Sequence, residues 1–136
     1  MRRTTAAACG VAAGCVAATM LTAPTASATV VSRVGLPSPG SFSNFTIGCR
    51  YEARVKVNDA ATVVRLVESR EGSGLKTVVA RTIPAADTAV FVWTPTTPGR
   101  RTLQAVQPTR GRLVYSHPIT VTVSRGITAA GFCFSI

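Results

Sequence analysis

Acidic residues are scarce in this sequence. Five carboxylates stand against 15 Lys and Arg, and the formal net charge is +10. Histidine occurs once, at His117, and aromatic residues make up only 6% of the chain. These shortages exclude much chemistry. His117 has no nucleophile and orienting carboxylate tied to it by a motif, as triad catalysis requires. It precedes Pro118 at a break in a strand pattern and reads as an exposed turn residue. Zinc would need more His and Cys than are free. Calcium needs roughly six to eight oxygen ligands, and Asn58, Asp59 and Asp87 fall short, so they read as turn residues. No paired glycosidase carboxylates and no Gly-rich phosphate loop stand out. No catalytic residue, metal or cofactor is expected.

Helical periodicity is absent as well. The one apolar run of any length lies at the start, from Ala6 to about Leu21, behind Arg2 and Arg3. Thr22 to Ala28 follows, ending in the small-x-small tripeptide Ala26-Ser27-Ala28. This three-part layout is that of a secretory signal peptide cut after Ala28. The run is short and Ala-heavy for a retained membrane span. Arg2-Arg3 also permits a twin-arginine route. Ala12 to Cys15 makes a poor lipoprotein box without a large aliphatic residue three positions before the cysteine. Residues 1–28 are therefore expected to leave, with 29–136 as one domain. That product keeps no transmembrane anchor and is secreted or associated with the cell wall.

Cys9 and Cys15 would leave with the leader, so Cys49 and Cys133 remain. Two cysteines in an exported chain most often pair with each other. Arg2 and Arg3 also leave, which takes the net charge from +10 to +8. Eleven of the remaining basic residues are Arg and two are Lys. A balance of this kind favours anionic partners.

What is abundant is alternation. Cys49, Tyr51, Ala53, Val55 and Val57 hold the odd positions, and Arg50, Glu52, Arg54 and Lys56 the even ones. Period two predicts a strand with one buried and one wet face. Before it, Thr29–Val34 and Phe42–Ile47 read as two parts of a split first strand. After it come strands over Thr62–Glu68, Leu75–Ile83, Thr88–Trp93, Thr102–Val106 and Leu113–Ser124, the last interrupted near His117-Pro118. Gly126–Ile136 reads as a tail. About seven short strands with regular turn signals point to an all-β, two-sheet sandwich. Trp93 shares strand parity with Ala89 and Phe91 and is expected in the core.

Phe91 to Gly99, followed by Thr102-Leu103-Gln104-Ala105, resembles the strand-turn-strand signature of bacterial immunoglobulin-like domains. Gly48 to Tyr51 and the close from Gly126 to Cys133 are similar to small secreted actinobacterial proteins of that kind. The resemblance implies an immunoglobulin-like β-sandwich with adhesion, spacer or binding duties and no catalytic residues to carry over. In that topology the second half of the first strand runs parallel to the last. A Cys49–Cys133 bridge would then clasp the C-terminal tail instead of pinning the two sheets through the core.

Arginines are the candidate binding residues. Arg110 and Arg112 belong to the turn at one end of the sandwich; Arg100 and Arg101 belong to the other end, near Arg70. Arginine grips carboxylate or phosphate with two parallel hydrogen bonds. The expected function is a secreted, non-enzymatic module binding at the cell envelope, with an anionic envelope polymer or another protein as partner. A ligand binder or inhibitor using the 108–112 turn is the alternative. The cations are not interleaved with exposed aromatics, which speaks against nucleic acid.

Overall fold

The computed structural model describes residues 30, 32–38, 44–58, 60–109, 111–129 and 132–135. The predicted leader, Asp59 and Arg110 lie outside the described residues. Every regular element described is a strand, in the order β1 (Phe45–Thr46), β2 (Tyr51–Lys56), β3 (Val64–Arg70), β4 (Lys76–Thr82), β5 (Thr88–Trp93), β6 (Gly99–Thr109), β7 (Arg112–Tyr115), β8 (Ile119–Ser124), β9 (Gly126–Ala129) and β10 (Phe132–Ser135). The all-β expectation is met, and the described residues contain no helix able to cross a membrane.

The larger sheet runs β1-β8-β6-β3-β4, with β7 also on β6, and a smaller sheet pairs β2 with β5. The predicted alternation in β2 is realised. Ala53, Val55 and Val57 are buried, whereas Arg50, Glu52, Arg54 and Lys56 are exposed. Buried faces of both sheets supply one core, from Val55, Phe91 and Trp93 on one side to Leu66, Leu103 and Val123 on the other. The sheets curl around it as a half-barrel. Fully burying each large apolar side chain stabilises by about 1.5–3 kcal/mol.

The split first segment takes a lighter form than expected. Val30 and Gly35 make single antiparallel bridges to Val57 and Arg54. Among the described residues of the second part, 44–47, only Phe45–Thr46 form a strand, which runs parallel to β8, with Phe45 opposite Val123. Strand β6 is much longer than Thr102–Val106 because Arg101, Leu103, Ala105 and Gln107 all face inward and are buried. Pro108 is tolerated because β3 stops at the level of Val106, leaving β7 as the neighbour there.

The expected interruption near Pro118 divides the last strand into β7 and β8. Ser116 bridges the break. Its N–H donates to the Ala105 carbonyl at 2.8 Å, and its Oγ accepts from the Ala105 N–H at 2.9 Å. Both polar groups of a buried core residue are thus satisfied where the ladder lapses.

The last segment is a hairpin of β9 and β10, not a tail. Cys133 in β10 is bonded to Cys49, with Cα atoms 6.0 Å apart and a sequence separation of 84. The bridge fastens this hairpin to the start of β2, outside the β2–β5 and β3–β6 pairings. Gly126 begins the hairpin because a Cβ there would overlap both Thr46 and the Phe134 carbonyl.

Candidate functional site

At one end of the large sheet, β3 continues past the core with its inward face. Val64 and Leu66 are buried on that face; Glu68 and Arg70 follow on it by strand alternation. Opposite them, β5 ends at Trp93 and the chain turns through Thr94 to Gly99. The space between β3, β4 and this turn is a cleft of about 460 Å³, lined by Glu68, Arg70, Ser73, Thr77, Thr97 and Arg101 among others. Leu75 and Val79 add an apolar side.

Glu68 organises the inner wall. Its side chain is 12% exposed. Oε2 accepts a 2.8 Å hydrogen bond from the indole N–H of fully buried Trp93. Oε1 lies 3.6 Å from Arg101 Nε, an ion pair too long to be a hydrogen bond, and that Nε has no hydrogen-bond partner. Arg101 Nη2 donates instead to Thr97 Oγ1 and, at 3.3 Å, to the Pro98 carbonyl. The guanidinium is thereby fixed against the turn. Arg70 stands directly opposite Arg101 in the β3–β6 register and is exposed.

Three of the four arginines singled out from sequence are described, and they differ in surroundings. Arg101 is only 8% exposed and works as an internal partner of Glu68. Its inward parity on β6 buries it, so it lies in the inner wall of the cleft and not on the open surface. Arg100, one residue away, points outward and pairs with Glu71 at 2.9 Å. Arg112 is exposed at the far end, opposite Thr109 in the β6–β7 hairpin. Arg110 lies outside the described residues; Arg100 and Arg101 stand at the start of β6 and Arg112 beyond its end, so Arg112 is not brought together with them.

Glu68, Ser73 and the threonines were missed. The available signal was Glu68 itself, an acid at the parity of Val64 and Leu66. Trp93 is in the core as expected, in edge contact with Phe45 at 5.4 Å. His117 is exposed. No group of His, Cys, Asp and Glu among the described residues could hold a metal.

Two further hollows lie along β2, beside residues 32–37, but Arg54 and Glu52 pair with each other there and Lys56 pairs with Asp87 at 2.8 Å. Cations on that face are mostly answered by acids of the same chain. The cleft differs because its Glu68 serves Arg101, and among the described residues Arg70 has no carboxylate partner. Such an arrangement can hold one anionic group beside several hydroxyls. Comparison with known proteins matches no family model to the chain and finds no significant curated relative.

Proposed function

We propose that the chain is an exported, non-enzymatic binding module that attaches to an anionic polymer of the cell envelope. One observation carries this reading. Among the described residues, Glu52, Glu68, Glu71 and Asp87 each engage one cation, which leaves Arg33, Arg50, Arg65, Arg70, Lys76, Arg81, Arg112 and Arg125 with no carboxylate partner there. Arg65 and Arg81 even stand opposite each other on β3 and β4. Like charges so placed repel, and a polyanion relieves that repulsion while releasing its own counterions. Export is the reading of residues 1–28 and agrees with the disulfide.

The scaffold of this reading is an immunoglobulin-like sandwich of about seven strands, with β2–β5 as one layer and β3, β4, β6 and β8 in the other. The parallel β1–β8 pairing and the single core shared by both sheets support it. The divided last strand and the added hairpin are departures from the plain seven-strand plan.

Co-sedimentation with purified wall polymer and with polygalacturonate is the test. Binding is expected at low salt and is lost as salt rises. No binding at low salt to any polyanion rejects the function.

A further inference from the structure

The cleft beside Arg70 gives polymer binding a place and a ligand class. Resting on the reading above, we propose that it takes one carboxylated sugar unit of an acidic glycan, with Arg70 on the carboxylate and the Ser and Thr side chains on the ring hydroxyls.

Charge comes first. Glu68 and Arg101 answer each other, and Arg70 adds one cation with no carboxylate partner. The cleft wall therefore carries a single net positive charge. Arg70 and Arg101 face each other across adjacent strands on the same side, which is unfavourable while nothing anionic sits near them. A monoanion matches the excess. A phosphate dianion overshoots it and also meets the Glu68 carboxylate in the same wall.

The remaining lining fits a sugar. Ser73, Thr77, Thr94, Thr96 and Thr97 bring five hydroxyls around the space, of which Thr97 already accepts from Arg101 and Ser73 from the Leu75 N–H. Each hydroxyl both donates and accepts, which suits ring hydroxyls better than it suits a bare ion. Leu75 and Val79 offer apolar surface to the C–H face of a ring. The volume of about 460 Å³ falls within the usual span of small-ligand sites, about 300–1,000 Å³.

Preorganisation favours the site as well. Arg101 is held by Thr97 and Pro98, and Glu68 by Trp93. The inner wall is therefore in place before a ligand arrives, and only Arg70 at the rim has to be ordered. Little conformational freedom is lost on binding.

The experiment is calorimetric or NMR titration of the disulfide-intact chain with digalacturonate. Parallel titrations use the corresponding neutral disaccharide and inorganic phosphate. Digalacturonate is expected to bind, and the other two at least tenfold more weakly. Arg70→Gln is exposed and leaves the core untouched; it should weaken digalacturonate about tenfold or more, the loss of one charge-assisted pair. Thr77→Val should weaken it by a smaller factor, and Arg112→Gln, at the far end, should leave it within about twofold.

Unchanged binding by Arg70→Gln overturns the assignment, and so does equal binding of phosphate or of the neutral sugar. Failure of digalacturonate to bind while polygalacturonate still sediments the protein also overturns it, and the polymer reading then stands without this cleft. Failure of both at low salt removes the polymer reading itself.

Discussion

The indole N–H of Trp93 donates to Glu68 across the core, so the bulkiest buried side chain is tied to a carboxylate that also faces a buried arginine. The interaction joins β5 of the small sheet to β3 of the large one. It couples the packing of the core to the electrostatics of the cleft. Removing the carboxylate charge leaves Arg101 desolvated without its counter-charge.

Glu68→Gln should therefore lower stability by about 3 kcal/mol, the usual loss when one partner of a buried pair is deleted. Urea unfolding measures it. A double variant, Glu68→Gln with Arg101→Met, should recover a good part of that loss, because no charge then remains buried. A double variant as weak as the sum of its parts would show that the pair is not coupled.

Ser116→Ala removes the acceptor for the buried Ala105 N–H. An unsatisfied buried donor costs about 1–3 kcal/mol, so the melting temperature should fall accordingly. Ser116→Thr keeps the hydroxyl and should be much milder. Hydrogen exchange at the Ala105 amide reports the change directly.

Cys49→Ala with Cys133→Ala tests the clasp. Chain-entropy reasoning places the stabilisation from closing so long a loop at roughly 4.5 kcal/mol as an upper figure. Loss of amide protection should start in β9 and β10, while β2–β5 and β3–β6 keep theirs, since those pairings make no use of the bridge. Uniform loss across all strands would contradict this.

Gly126→Ala places a methyl group against Thr46 and the Phe134 carbonyl. Backbone must shift to admit it, at a cost of about 1–3 kcal/mol. Gly74→Ala, where a Cβ meets open space, is the control and should be near neutral in thermal unfolding.

Asp87 supplies a pH signature. The Lys56 ammonium, with help from the Thr88 hydroxyl, holds its carboxyl below the ordinary value of 3.8. A lowered value means that these contacts stabilise the fold while Asp87 is ionised. Their contribution is complete above pH 3.8 and is lost as pH falls through the folded value. In Lys56→Gln the carboxylate NMR titration of Asp87 should move back up towards 3.8. Stability at neutral pH should hardly change, because both side chains are exposed.

Legibility in the sequence followed contrast between the two faces of each strand. Cys49 to Val57 announces its faces because apolar and charged residues alternate without exception. Strand β6 hides its true length because a buried Arg101 breaks that code and Pro108 imitates a turn. The β9–β10 hairpin is hidden because its strands pair with each other, so no larger sheet imposes an alternating pattern on Gly126 to Ser135. The cleft was the least legible feature. It draws on β3, β4 and the turn at 94–99, segments that meet only after both sheets have formed. Glu68 carried the one local clue.

Gly48, next to Cys49, donates its N–H to the Pro95 carbonyl at 2.9 Å. Pro95 lies between Thr94 and Thr96 in the lip of the cleft. The sulfur bridge therefore reaches the cleft through one peptide contact. A freshly translated, still reduced chain would hold that lip more loosely, so the glycan binding proposed for the cleft should mature with oxidation, and thiol reagents in an assay buffer should blunt it before the fold itself gives way.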